Sequence, residues 1–141
     1  MTPRLFTPLR LRGLELRNRV WLAPMCQYSA EAGVVGDWHL IHLGFQATGG
    51  YGLLLAEATA VVPEGRITPQ CPGLWTEEQV AAWARVVDAV HALGTPIGVQ
   101  LAHAGRKAST YRPWAAGRGS VPPEDGGWTT RSPSPVPHIG L

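Results

Sequence analysis

The sequence is poor in the features that mark several large classes of protein. Its 141 residues include only two cysteines, Cys26 and Cys71, which lie far apart and in no C-x-x-C pattern. We therefore expect neither a disulfide framework nor a structural zinc site. The net charge is only +2 and the basic residues are scattered, which argues against nucleic acid or an anionic membrane as a partner. No apolar run approaches the roughly 20 residues of a membrane-spanning helix.

Common catalytic and phosphate-binding motifs are also missing. The chain has no G-x-G-x-x-G or G-x-x-x-x-G-K-[ST] loop, and no Ser/His/Asp or Cys/His/Asn order is evident. We predict no bound metal. The N-terminus has no signal-peptide core, so the expected location is cytoplasmic. A hydrophobic share of 45% with 16% charged residues is typical of a globular protein, and the length suffices for one domain with a real core.

Hydrophobic periodicity predicts alternating strands and helices. The spacing from Thr76 to Gln79 is that of a capping box, and Gly94 with Pro96 ends the helix that follows. Alternating units with buried strands predict a parallel α/β sheet. The expected order is a hairpin around Arg12 and Gly13, a strand over 20–22, a helix over 38–48 with Asp37 as N-cap, a strand over 52–62, a helix over 76–93, a strand over 97–101 and a long irregular loop to Leu141.

The first long helix has an apolar side on which Leu40, Ile41 and Phe45 are predicted to be buried together. His39 and His42 lie on adjoining faces of the same helix. We interpret both as ordinary surface or helix-face histidines whose hydrogen bonds are satisfied locally.

The strand over 20–22 ends in an unusual way. Pro24 stops it, and the chain continues with Met25, Cys26 and Tyr28 instead of turn-forming residues. Met, Cys and Tyr are poor turn formers but are well suited to line a pocket. Such a mismatch between local rule and residue choice is typical of functional sites.

Ligands of parallel α/β proteins bind at the carboxyl ends of the strands. Here the three ends share small or flat apolar groups together with one amide, one thiol and one phenol. That combination favours a planar heteroaromatic ligand, because small side chains allow close approach and an amide can both donate and accept. The residues concerned are Ala23, Pro24, Met25, Cys26 and Tyr28 at the first end, Glu57, Ala58 and Thr59 at the second, and Gln100, Leu101, Ala102 and His103 at the third.

Each of these residues also has an ordinary structural explanation. Cys26 alone is more often a small buried hydrophobe, Tyr28 a half-buried packing residue, and Gln100 a side chain that satisfies neighbouring backbone. Their joint occurrence at three strand ends favours the functional interpretation.

Three motifs, in this order and spacing, resemble those of the Old Yellow Enzyme family of NADH:flavin oxidoreductases. They are APMCQYS from Ala23, EATAV from Glu57 followed by PEGRIT from Pro63, and QLAHAGRK from Gln100. The branch that they resemble is that of bacterial NADPH dehydrogenases and ene-reductases, which carries Cys and Tyr in the first loop.

The resemblance implies a partial (β/α)8 TIM barrel. Residues 1–141 would be the N-terminal part of a single FMN-binding barrel domain, with the hairpin, about three strands and two helices. A closed barrel of this kind takes ~250 residues. The family's His-x-x-His or His-x-x-Asn pair and its flavin-proximal Arg lie beyond the third strand, so we expect an N-terminal fragment that is inactive alone.

The resemblance also implies an activity, in which hydride passes from NADPH to FMN and then to an activated alkene such as an enone. It assigns Cys26 and Tyr28 to catalysis and Tyr28 to substrate binding, and it leaves a homo-oligomer of the longer parent open. Two alternatives are the dienoyl-CoA reductase and trimethylamine dehydrogenase branch, and a truncated module without catalysis. The residues implied to bind the cofactor are Ala23, Pro24, Met25, Cys26, Ala58 and Gln100.

Overall fold

The computed structural model describes residues 3–138. Its regular elements follow the predicted order closely. They are strands β1 (Leu9–Leu11), β2 (Leu14–Leu16) and β3 (Trp21–Leu22), helix α1 (Asp37–Thr48), strand β4 (Leu53–Ala60), helix α2 (Glu77–Ala92) and strand β5 (Ile97–Ala102). After β5 the described chain forms only two short 3-10 turns, at Gly105–Lys107 and Pro123–Asp125, so the predicted long irregular segment is confirmed.

The strands form two separate sheets. β1 and β2 make the predicted antiparallel hairpin, with Leu9 opposite Leu16. The other sheet has the order β3-β4-β5, and both of its pairings are parallel. The central strand β4 is buried at six of its eight positions, as expected for a strand of a parallel sheet that is covered on both faces.

Both helices pack against this sheet and enclose the core. Leu22, Leu54 and Ala56 from the strands meet Trp83 and Val90 from α2. Among the described residues no helix is both long enough and apolar enough to cross a membrane.

The predicted buried face of α1 is wrong for Ile41 and Phe45 but holds in part for Leu40, which packs partly buried against the core. Ile41 and Phe45 are 67% and 74% exposed, whereas the buried residues of the helix are His39, Leu43 and Ala47. These three recur every four residues and so share one face. The most apolar side chains of the helix therefore do not mark its buried face, because the histidine on that face is buried beside Glu57.

The ends of both helices differ slightly from prediction. Gly36, and not Asp37, is the N-cap of α1, and Asp37 is its first helical residue. The capping box of α2 is confirmed, since the Thr76 side chain accepts from the Gln79 N–H. The C-cap is Leu93, and Gly94 follows it with φ of +74°, the left-handed conformation that glycine adopts without steric cost.

The segment after β5 is fixed to the segment after β4 by aromatic contacts. The Arg66 guanidinium lies 4.9 Å from the Trp128 ring centroid and 5.6 Å from that of Trp75. The Trp128 indole N–H donates to the Glu64 carbonyl oxygen at 2.9 Å. An irregular chain of this length is therefore held by specific contacts instead of by secondary structure.

Replacing Thr76 by Ala should destabilise the fold by about 1 kcal/mol, because α2 loses a side-chain cap. Urea unfolding followed by circular dichroism measures the change. Thr129→Ala, in an exposed part of the irregular segment, is the matched control and should have little effect. Equal midpoints for the two variants would contradict the capping role.

Candidate functional site

The structure brings the three predicted strand ends together. Ala58 and Gln100 are partners in the register of β4 and β5. The Gln27 N–H, in the peptide that follows Cys26, donates to Glu57 Oε2 at 2.8 Å and so holds the Cys26 loop against β4. Cys26, Ala58 and Gln100 thus lie beside one another across adjacent segments of the sheet.

The surface they form is open. Ala23, Met25 and Gln100 are exposed, while Pro24, Cys26, Tyr28 and Ala58 are half-buried. Small side chains at Ala23 and Ala58 leave room for a flat group to approach the backbone. The exposed amide of Gln100 can both donate to and accept from such a group.

A β-bulge lies within this surface. The β4–β5 register shifts between Ala56 and Ala58, so that Glu57 is an extra residue opposite no partner in β5. A bulge bends the strand and redirects a side chain. Here the redirected side chain is buried, with 4% of Glu57 exposed, and its Oε2 accepts a hydrogen bond from the Gln27 N–H at 2.8 Å.

His39 of α1 lies behind Glu57. The Gly36 N–H donates to His39 Nδ1 at 3.3 Å, so the neutral ring carries its proton on Nε2. That nitrogen is 3.2 Å from Glu57 Oε1 but is poorly aligned for a hydrogen bond and has no better partner among the described residues. His39 is 1% exposed, which corrects its interpretation as an ordinary helix-face histidine.

Both groups predicted to be catalytic are held in their neutral forms. Burial raises the pKa of the Cys26 thiol, and the neighbouring Cys71 and Glu57 raise it further. Burial also raises the pKa of the Tyr28 phenol, with Cys26 as the next cause. Cys26 is therefore a thiol and not a thiolate nucleophile near neutral pH, and Tyr28 keeps a proton that it can donate.

The irregular segment after β5 returns to Tyr28. Tyr28 has a φ of +51°, which is rare for a bulky residue and costs conformational energy. An Arg112 Nη1–H donates to its carbonyl oxygen at 3.4 Å. The Trp114 ring meets the Tyr28 ring edge to face, with centroids 5.5 Å apart.

Sequence reasoning missed four residues of this arrangement: Glu57, His39, Arg112 and Trp114. The sequence places Glu57 at a strand end but does not indicate its role, because a bulge leaves no mark in the hydrophobic pattern. Arg112 and Trp114 lie in an irregular segment, and nothing in their local sequence indicates where that segment returns.

A cavity lies apart from this surface. It measures about 690 Å³ and is bordered by Ser29, Trp38, Trp75 and Gln79, between the loop before α1 and the start of α2. None of the predicted cofactor-binding residues lines it. The strand-end site is a surface instead, because the sheet is open beyond β5.

Comparison with known proteins identifies relatives along most of the chain. Residues 4–133 match the sequence model of the NADH:flavin oxidoreductase / NADH oxidase family. An NADH:flavin oxidoreductase of Gibberella zeae is 48% identical over 125 residues, which is 89% of this chain and 30% of that protein. An NADPH dehydrogenase of Bacillus subtilis is 43% identical over 110 residues, or 77% of this chain and 32% of the relative.

A solved structure shows the same fold. Morphinone reductase in complex with tetrahydroNAD superposes with a TM-score of 0.70 at 42% identity, covering 77% of this chain and 29% of that one. The chain thus spans about 30% of the length of the proteins that it matches. The predicted fold, a partial (β/α)8 barrel with an open sheet, is confirmed.

Replacing Trp114 by Leu should alter the surroundings of Tyr28 through loss of the aromatic edge contact. With 3-fluorotyrosine incorporated, the three tyrosines give three fluorine NMR signals, and Tyr28→Phe assigns one of them. We expect the Tyr28 signal to shift, while that of Tyr51, outside the segment, serves as the internal control. A stationary Tyr28 signal would exclude the contact.

Proposed function

This chain belongs to the NADH:flavin oxidoreductase / NADH oxidase family, and we propose that it forms the first part of the FMN site of an NADPH-dependent ene-reductase. The main supporting observation is that Ala58 and Gln100 are partners in β4 and β5 and that the loop carrying Cys26 is hydrogen-bonded to β4 through Glu57. Relatives named NADPH dehydrogenase support the nicotinamide donor.

The residues present suit a flavin ring. Ala23 and Ala58 permit its close approach, and Pro24 and Met25 would extend the same wall along it. The exposed amide of Gln100 can pair with the donors and acceptors of the pyrimidine edge. FMN, when bound, supplies hydride transfer between the nicotinamide and the activated alkene.

Cys26 and Tyr28 have different tasks in this proposal. The raised pKa of Cys26 keeps it as a neutral, polarizable group beside the reactive edge of the ring, where it affects the reduction potential without acting as a nucleophile. The raised pKa of Tyr28 keeps its phenol able to donate a hydrogen bond to the carbonyl oxygen of an enone substrate.

The remaining parts of the activity belong to a longer protein. Residues 3–138 supply three parallel strands, whereas such a barrel has eight and builds its phosphate site after the last two. We propose that residues 1–141 are the N-terminal part of one FMN-binding barrel domain and do not retain FMN alone. The cytoplasmic location and a homo-oligomeric parent stay predictions.

The pair Cys26 and Tyr28 favours the NADPH dehydrogenase branch over the dienoyl-CoA reductase and trimethylamine dehydrogenase branch. The 43% identity to the Bacillus subtilis NADPH dehydrogenase supports the same choice.

A chimera tests the proposal. Residues 4–133, the segment that matches the family, would replace the corresponding part of the Bacillus subtilis relative. We expect the purified chimera to hold FMN and to oxidise NADPH when 2-cyclohexenone is added. Gln100→Ala should weaken FMN binding by about fivefold, from the loss of one hydrogen bond worth roughly 1 kcal/mol.

Gln46→Ala, on α1, is the matched control for Gln100→Ala. Equal FMN affinity of both variants would remove Gln100 from the cofactor site. A folded chimera without flavin, or the isolated 141-residue chain retaining FMN in a one-to-one ratio, would contradict the proposed division of the site.

In the same chimera Cys26→Ala should leave FMN bound but shift its reduction potential, because a polarizable group beside the ring is replaced by a methyl. Dye-equilibration titration measures the potential. Gln46→Ala, on α1 and outside the predicted site, is the control. An unchanged potential in Cys26→Ala would exclude a role for the thiol.

A further inference from the structure

We propose that the buried pair of Glu57 and His39 is the positioning device for Cys26: Glu57 holds the peptide that joins Cys26 to Gln27 and so sets where the thiol lies. The effect of this pair on the flavin rests on the proposed function. The placement of Cys26 by Glu57 does not depend on any bound cofactor.

The first support is the geometry of Glu57. The residue is the unpaired member of the bulge in β4, and its side chain is almost fully buried. The Gln27 N–H, immediately after Cys26, donates to its Oε2 at 2.8 Å. This hydrogen bond spans 30 residues and ties the loop after β3 directly to β4.

The second support is the burial of His39. A buried carboxylate is costly unless it is hydrogen-bonded and compensated. An apolar residue of similar size would fill the same space without that cost. The N–H dipole of His39 Nε2 faces Oε1 at 3.2 Å without forming a well-aligned hydrogen bond, and the Gly36 N–H orients the ring. The polar series thus runs from the start of α1 through β4 to the Cys26 loop.

The third support is electrostatic. The titratable groups that face Cys26 are Cys71, Glu57 and Tyr28. Glu57 is one of the causes that raise the pKa of the thiol, so the same carboxylate that positions Cys26 also disfavours its ionisation. Both effects would keep a neutral thiol at a fixed place beside the flavin.

The rate of Cys26 alkylation by iodoacetamide, followed against pH in a Cys71→Ala background, tests both effects in the 141-residue chain. Glu57→Gln removes the charge but keeps an oxygen acceptor for the Gln27 N–H. We expect its profile to move to lower pH, with a rate at pH 8 roughly twofold or more above the parent and the same plateau at high pH.

Glu57→Ala removes the acceptor as well. We expect its plateau rate to rise too, because the freed loop exposes the thiol. Glu15→Gln, on the exposed hairpin strand β2, removes the same charge far from the bulge and should match the parent. Identical pH–rate profiles of alkylation for the parent and both Glu57 variants would overturn the proposal. If Glu57→Ala does not fold, an unchanged profile for Glu57→Gln alone would overturn it.

A double-mutant cycle in the FMN-containing chimera tests the link to the flavin. We expect Glu57→Gln to shift the reduction potential when Cys26 is present and to have little further effect in Cys26→Ala. An equal shift in both backgrounds would show that Glu57 acts on the flavin directly and would contradict positioning through Cys26. Failure of the chimera to bind FMN refutes the proposed function only, since the alkylation profiles do not depend on flavin.

Discussion

Strand β4 pairs in parallel with both β3 and β5, and the rest of the structure depends on that double pairing. It places the ends of three strands at one edge of the sheet, where Cys26, Ala58 and Gln100 meet. Its outer neighbours α1 and α2 cover it and provide the core. Without β4 the loop after β3 and the end of β5 would have no common support.

The bulge in β4 directs a carboxylate, that of Glu57, toward the Cys26 loop. A regular strand would place Glu57 opposite a residue of β5, whereas the register shift releases its side chain to reach the Cys26 loop. The shift occurs in the middle of β4, after the core residues Leu54 and Ala56, and pairing with β5 resumes from Ala58 to Ala60. Bulges next to active sites commonly redirect one side chain in this way.

The segment after β5 holds the other part of the loop that follows β3, at Tyr28. Arg112 and Trp114 contact Tyr28, and the stacking of Arg66 between Trp75 and Trp128 fixes where the segment turns back. The unfavourable φ of Tyr28 is thereby maintained by tertiary contacts. The phenol proposed to contact the substrate is thus held by a part of the chain that lies 84 residues away.

The sequence predicted the parallel sheet, both helices and the meeting of three strand ends, because hydrophobic periodicity and capping residues are local signals. It misplaced the buried face of α1, where His39 is buried through partners that only the fold supplies. The bulge at Glu57 and the return of Arg112 to Tyr28 depend on register and tertiary contact, which no local pattern records. The physical pattern of the residues indicates only a flat ligand, and the proposal of FMN rests on the family resemblance.

The most direct test of the central claim is an experimental structure of a longer protein containing residues 4–133 with FMN bound. The account predicts that the flavin ring lies against Ala23, Cys26 and Ala58, with its pyrimidine edge hydrogen-bonded to the Gln100 amide. A ring bound away from these strand ends, for example in the cavity bordered by Trp38 and Trp75, would contradict it.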